Sequence, residues 1–368
     1  ESNESNESNE RNERNESNES NESNESNERN ESNESNELIL ENKEPINAGV
    51  IALVYEARMG DKKMVVKVIK NNIREKLNSA ILDAELMCYI LSLIPYIRAF
   101  NLDRILRDCK SIVLEQVDFK KEVENIKLFR NTYRRNKNVI IPQVYEEFTE
   151  RNPNIIVMEY IDGIKFNQLR QEDKTEFSKL LFNFNSTSIL FNRVIHGDPR
   201  IGNILFIEED ELAGTDERKY TKNKKIALID FGIIIHISKE EQNSLYHFFR
   251  QFFVEKNYRK AIELAVESLT YPKENWSALS KETQELILTR GEKIVRDTYG
   301  KNMDVDFIYK INSVINPYNI YFVKNFNQVQ INLAIIFGVA DRMLDDNLTE
   351  TVYDSLRDLF EIHDLLME

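Results

Sequence analysis

The sequence predicts an α+β chain in two parts: a small strand-rich part over residues 38–161 and a mainly helical part over residues 162–368, behind a polar tail at residues 1–37. Three observations carry this. Short apolar runs bounded by turn residues crowd into the stretch before Gly163. Beyond Gly163 the spacing becomes that of amphipathic helices, and strand signals return only within Val194 to Gly232. Residues 1–36 are twelve triplets of Glu-Ser-Asn or Glu-Arg-Asn. With no apolar residue to offset the entropy of ordering, that tail reads as disordered.

The 368 residues are enough for a large core. The net charge of −14 is not spread evenly: the tail to Glu37 holds 13 Glu and 3 Arg, a net of −10, which leaves −4 for the other 331 residues. The ordered part is therefore close to balanced and carries no basic footprint for nucleic acid, and the tail reads as a passive solvating segment. Cys88 and Cys109 lie outside any CxxC pair and read as two reduced thiols, which fits an intracellular, reducing compartment. The N-terminus is polar and shows no signal peptide. The most apolar long stretch, Tyr318 to Met343, is broken by Lys324, Asn325, Asn327, Gln328, Gln330, Asn332 and Asp341. It reads as a buried helix rather than a membrane span, with peripheral contact to a membrane or lipid left open.

Taken in order, the stretch from Glu44 to Arg58 reads as a strand, a small-residue turn at Asn47-Ala48-Gly49-Val50 and a second strand. Met64 to Ile69 makes a third strand with Lys67 inside it, where an ammonium is costly unless paired. An edge strand that leaves the Lys67 head in water explains it as well. Ile73 to Tyr96 reads as a helix with apolar positions at 77, 81, 82, 86, 90, 91 and 94, ended by Pro95. A second helix starts near Leu102 and runs on through Gln116 and Asp118 to Phe129, which sets Asp118 and Glu122 on one face. Ile155 to Tyr160 is a strand broken by Ile161-Asp-Gly163, and the backbone at Glu159 and Tyr160 is where an adenine would be held. Glu172 to Phe191 is helical, and Glu208 to Lys224 is a polar loop between two short strands. Ser238-Lys-Glu-Glu241 has capping-box chemistry. Behind it Leu245, Phe248, Phe249, Phe252 and Phe253 repeat at helical spacing as core packing. The remainder reads as all-helical.

The chemistry concentrates in VIHGDPRIGNILF and KIALIDFG. Asp198 and Asn203 lie five residues apart on a turn after an apolar segment, and Asp230 ends the apolar run Ile226 to Ile229. This is the layout that holds a triphosphate: one carboxylate accepts a proton from an attacking hydroxyl, and the Asn and second carboxylate hold Mg²⁺ on phosphate oxygens. A strand-end cap explains Asp230 taken alone, and a turn explains Asn203.

With these pieces in order, the chain from Leu38 to about Leu366 resembles the UbiB/ADCK family of atypical protein-kinase-like proteins. The resemblance rests on PINAGVIALVYEA, VVKVIKNNIREKL, LEQVDFKKEVENIKLF, PQVYEEFTE, VMEYIDGIKF, VIHGDPRIGNILF and IALIDFGIIIHISKEEQ. It implies a two-lobed protein-kinase-like fold that binds ATP with Mg²⁺, and a Lys67 that contacts the phosphates and pairs with Glu122. It implies Asp198 in the catalytic-loop position, with Asn203 and Asp230 as metal ligands. The phosphate acceptor would be a protein Ser/Thr or a small molecule; the HGDxxxxN form also resembles aminoglycoside and choline kinases. The second class open is a nucleotide-binding ATPase or regulatory module of lipid or quinone metabolism, with little transfer. The sequence departs from the family at four points. Its KxGQ motif does not occur in residues 1–37, and its Ala-rich phosphate loop reads Asn-Ala-Gly-Val. The Glu of its ExD motif is Gln116, and its catalytic histidine-proline is Arg200-Ile201.

Overall fold

A computed structural model describes residues 37–94, 102–212, 220–298, 305–344 and 348–367. The predicted disorder of residues 1–36 lies outside them. The chain divides into two compact units. One is formed by the segment ending at Asn71 with Tyr145–Tyr160, the other by Asn72–Val144 with the chain from Ile161 onward.

Alternation builds the first unit. Strands β1 (Leu38–Leu40), β2 (Asn47–Ala48), β3 (Ala52–Met59) and β4 (Lys62–Ile69) join β6 (Ile155–Glu159) in one antiparallel sheet of order β1-β3-β4-β6, with β2 also paired to β3. Ala57, Met64, Val66 and Val157 bury one face, covered by Tyr145 and by Phe148 from a short helix, Glu146–Arg151. Period-2 spacing then sends Lys67 to the other face. Lys67 faces Val54 on β3 and Ile156 on β6, so β4 is an interior strand and the edge-strand explanation of Lys67 fails. The small-residue turn is shorter than the sequence suggests. Asn47 and Ala48 are ladder residues, Gly49 closes the hairpin through its N–H to the Ala52 carbonyl, and Val50 is exposed.

Helices dominate the second unit. Its first is Ile73–Ser92, which buries Ile73 and Ile81, while Leu82, Leu86, Ile90 and Ile94 of the expected apolar face are exposed. The long second helix of the sequence reading is two helices, Leu102–Glu115 and α3 (Phe119–Thr132). The break is chemical. Asp118 leaves helical geometry and its Oδ1 accepts the N–H groups of Lys120 and Lys121 at 3.1 and 3.2 Å, satisfying donors that a helix start leaves orphaned. Asp118 is thus the cap of α3 and not a partner of Glu122 on a helix face.

The expected polar loop at Glu208 to Lys224 is mostly strand. β8 (Ile204–Leu212) and β9 (Tyr220–Leu228) form an antiparallel ribbon, and β5 (Val139–Ile140) adds to β9 in parallel. Their inner halves bury Ile204, Phe206, Ile226 and Leu228, while charged cross-strand pairs such as Lys225–Glu209 replace apolar alternation beyond. At the ribbon's base Lys224 bonds Asp173 and Glu176, and Arg170 bonds Asp173 and Glu208. Burial alone would raise the Asp173 carboxyl, but the hydrogen bonds from Lys224 and Arg170 outweigh it and hold the group below its usual value.

The remaining helices are α5 (Gln171–Thr187), α6 (Lys239–Phe249), α7 (Tyr258–Ser268), Lys273–Ser277, α9 (Lys281–Thr298), α10 (Val305–Ile315), α11 (Lys324–Asp341) and Leu348–Met367. The capping box forms as expected: Ser238 Oγ accepts the Glu241 N–H and the Glu241 carboxylate accepts the Ser238 N–H. The C-terminal region is not wholly helical, because Thr270–Tyr271 and Tyr321–Phe322 pair as short strands. The segment expected as a buried helix is α11, and among the described residues no helix is long and apolar enough to cross a membrane. Cys88 is a free thiol, and the Cys109 side chain lies outside the described residues.

Replacing Asp118 by Ala removes the α3 cap. Urea denaturation is expected to show a loss of about 1 kcal/mol, and an unchanged midpoint would show that the cap is dispensable.

Candidate active site

Two turns carry the acidic residues in the second unit. The first follows β7 (Val194–His196), whose partner is β10 (Ile234–His236). Gly197 then passes so close to Ile233 that a Cβ there would lie 2.4 Å from Ile233 Cγ2, and its N–H donates to the Ile233 carbonyl at 2.9 Å. Only glycine fits, and its place is what lets Asp198 leave the strand at this point. A short helical turn, Ile201–Asn203, ends where β8 begins. The second turn follows β9 and carries Asp230, Phe231 and Gly232. The Asn203 carbonyl accepts the Ile229 N–H at 3.1 Å and so fastens the two turns together.

His196 is the second fastening, and it is fully buried. Its Nδ1 accepts the Asp198 N–H at 3.2 Å. That leaves Nε2 as the protonated nitrogen, which donates to the Asp230 carbonyl at 2.5 Å. Burial pushes the imidazole below its ordinary pKa, more strongly than the nearby Asp230 and Asp198 raise it, so the ring is neutral and this tautomer is fixed. The ring packs edge-on to Phe129 and Phe231. Asn332 of α11, also fully buried, donates its Nδ2 to the His196 carbonyl at 2.6 Å.

Helix α3 clips the second turn from behind. Asn125 Nδ2 donates to the Phe231 carbonyl at 2.9 Å, and the Phe231 N–H donates to Glu122 Oε1 at 3.3 Å. Phe129 and Phe231 close the contact at 5.3 Å between ring centres. Glu122 is 1% exposed, which rules out the surface-carboxylate explanation open from the sequence.

In front, Asn203 directs its amide hydrogens at the Asp198 carbonyl (3.0 Å) and carboxylate Oδ2 (3.1 Å). That orientation presents Oδ1 as the atom of Asn203 able to ligate a cation. Asp230 Oδ1 accepts the Gly232 N–H at 3.1 Å, so the turn-cap explanation holds for that oxygen. Arg200 joins Asp198 Oδ2 at 2.7 Å while remaining exposed. Among the described residues no group of three or more His, Cys, Asp and Glu side chains is gathered for a metal. An amide oxygen with a carboxylate is still a fitting donor set for Mg²⁺, which takes few protein ligands and fills its shell with water and phosphate.

Of the residues singled out from sequence, the second unit thus gathers Glu122, Asp198, Asn203 and Asp230 about these two turns. Lys67, Asn47, Ala48, Gly49, Val50, Glu159 and Tyr160 belong to the first unit. There Tyr160 N–H donates to the Lys63 carbonyl at 3.2 Å, and Lys70 Nζ donates to the Gly49 carbonyl at 2.6 Å. Sequence reasoning missed His196, Asn125 and Asn332. The spacing of Asn125 three after Glu122, within the apolar positions Val123, Ile126 and Phe129, was the available signal for the second of these.

A family model of the ABC1 atypical kinase-like domain matches residues 18–265. The chain belongs to that family. Membership gives the architecture above its class: an α+β, kinase-like fold with a small β-rich N-terminal unit and a mainly helical remainder. Among curated proteins the ABC1 kinase-like chain is 25% identical over 232 residues to the Arabidopsis thaliana protein named activity of BC1 complex kinase 8, chloroplastic. It is 25% identical over 236 residues to the probable protein kinase UbiB of Vibrio campbellii and 26% identical over 232 residues to that of Cronobacter sakazakii. Each match covers 61% of this chain, but only 28% of the Arabidopsis protein and 40% of each bacterial one. Among solved structures, the Rv3197–erythromycin complex from Mycobacterium tuberculosis is similar with a TM-score of 0.49 and 14% identity, covering 84% of this chain and 78% of that one. The Rio2 kinase–ADP/Mg²⁺–phosphoaspartate complex from Chaetomium thermophilum is similar with a TM-score of 0.33 and 12% identity, covering 74% and 69%.

The neutral His196 sets a pH dependence. A group held neutral in the fold but titrating normally when unfolded gives stability that is complete above pH 6.5 and is lost as the unfolded imidazole takes up its proton below it. Burial depresses His236 in the same direction. Denaturant midpoints are expected to fall from pH 7.5 to pH 5.5, with a shallower fall in His196→Asn; an equal slope in that variant would show that His196 is not responsible.

Proposed function

We propose that this chain binds ATP with Mg²⁺ and transfers the γ-phosphoryl group to a hydroxyl acceptor, a protein Ser/Thr or a small molecule. The observation that carries the reading is the placement of Asn203: both amide hydrogens engage Asp198, which leaves the amide oxygen as its ligating atom, on a turn fastened to the one that bears Asp230. In this reading Asn203 and Asp230 hold the cation, which would screen the phosphate charge. Asp198 orients the acceptor hydroxyl and takes its proton on Oδ1, since Oδ2 is engaged by Arg200 and Asn203. Glu122 and Asn125 hold the Asp230 turn in register. Lys67, on an interior strand where a lone ammonium is costly, serves the phosphates, with Glu122 as the partner the family resemblance implies. The turn at Asn47–Val50 lies over the phosphates, and the backbone of Glu159 and Tyr160 holds adenine.

One observation favours a second reading, a nucleotide-binding ATPase or regulatory module with little transfer. Arg200 stands where the family has histidine and forms an ion pair with the carboxylate that would receive the proton. An acceptor hydroxyl must then share Asp198 with a guanidinium.

Mg-ATP is expected to raise the unfolding midpoint of the chain. Lys67→Ala and Asp230→Asn should abolish that shift, whereas Asp198→Asn should keep it while losing transfer by about 100-fold or more. With γ-labelled ATP, label on the protein, a peptide or a small alcohol supports transfer, and label only in free phosphate supports the second reading. Absence of any Mg-ATP stabilisation would overturn both.

A further inference from the structure

The aromatic stripe behind the capping box does more than fill a core. Phe248, Phe252 and Phe253 line a cavity of about 70 Å³ within the second unit, partly open to solvent. Other walls come from α7 (Ile262, Ala265), α9, α10 (Ile311, Val314) and α11. Gly291 of α9 shapes it: a Cβ there would lie 3.1 Å from Ile262, so the glycine lets α7 and α9 close on each other at one end of the cavity. Of the lining residues only Gln330 is polar. Packed interiors seldom leave a void larger than a water molecule, and a void with so few polar partners does not hold ordered water well. Its lining suits the edge of a ring or the end of a hydrocarbon chain, and no charged group lines it to receive a charged ligand.

The position of α11 gives the cavity a consequence. Phe326, Gln330 and Leu333, at i, i+4 and i+7, face the cavity. Asn325 and Asn332, at i and i+7 on a neighbouring stripe, hold the site instead. Asn332 donates to the His196 carbonyl at 2.6 Å, and Asn325 donates to the His236 carbonyl at 3.0 Å and to Glu241. One helix therefore lines the cavity with one stripe and holds the backbone of β7 and β10 with the stripe beside it.

We propose that this cavity is an effector site for a compact, uncharged apolar group, and that its occupancy is transmitted through α11 to the turn bearing Asp198. A ligand that fits only one placement of α11 shifts the population toward it, and Asn332 carries that placement to His196. This inference does not depend on what the turn catalyses.

Toluene is the probe, with benzoate as the charged ring of similar shape and dodecyl maltoside, below its micelle-forming concentration, as a chain end. With the full chain, millimolar toluene is expected to raise the unfolding midpoint by about 2 °C, and benzoate to leave it unchanged. A shift with toluene alone identifies a free compact ligand, and a shift with both toluene and the detergent identifies a chain terminus. Ala265→Leu, which adds three carbons into the cavity, and Ile311→Trp as an independent filling should each remove the effect. Hydrogen exchange at the Gly197 and Asp198 amides should slow at least twofold on toluene binding. No shift with either apolar probe, an equal shift with benzoate, or a shift that survives both filled variants overturns the site. Binding with unchanged exchange at Gly197 and Asp198 overturns the coupling.

Discussion

The arrangement depends on one neutral imidazole. His196 accepts from the Asp198 N–H through Nδ1 and donates to the Asp230 carbonyl through Nε2, so a single ring sets the spacing of the two acidic turns. It can do this only while uncharged, because a protonated ring has no acceptor nitrogen for the Asp198 amide. Burial against Phe129 and Phe231 enforces the neutral form and also removes the water that would compete for both hydrogen bonds. The same aromatic cluster therefore fixes the geometry and the protonation state together.

Around that ring, polar side chains from distant helices serve main-chain atoms of the turns. Asn332 serves the His196 carbonyl, Asn125 the Phe231 carbonyl and Glu122 the Phe231 N–H. Each pairing spans more than a hundred residues, and each satisfies a buried group that would otherwise be costly to leave unmade. Tight turns expose backbone that neither strand nor helix can satisfy, and these three side chains supply the missing partners. Hydrogen bonds of this kind hold the two turns in a fixed geometry.

What could be read in the sequence follows the range of the forces involved. The Ser238 capping box and the stripe behind it depend on neighbours three to eight residues away and stand as read. The two acidic turns were legible because each follows a short apolar strand. The break at Asp118 was missed because Asp118 and Glu122 also fit helical spacing, and only the cap hydrogen bonds tell the two cases apart. The ribbon at Glu208 to Lys224 read as loop because its outer half is held by cross-strand backbone bonds and ion pairs, which leave no apolar alternation. Lys67 was ambiguous between edge and interior until both neighbours of β4 were known. The fastening roles of His196 and Asn332 had no local signal at all, since their partners are backbone atoms brought in by the fold.

The site also divides its labour by atom. At Asp198 the N–H is held by His196 and the carbonyl by Asn203, so the backbone is fixed before any ligand arrives. Its Oδ2 is engaged by Asn203 and Arg200. At Asn203 the carbonyl takes the Ile229 N–H and the amide nitrogen serves Asp198, which leaves Oδ1 as the remaining ligating atom. At Phe231 both backbone groups are occupied by α3. A surface loop would have to lose conformational entropy on binding to reach such an arrangement, whereas here the folding of the second unit has already imposed it. Arg200 is the exception, a long exposed side chain on an otherwise immobile frame. Its ion pair with Asp198 is the contact most easily exchanged for another anion, since partly exposed pairs are held by little net free energy.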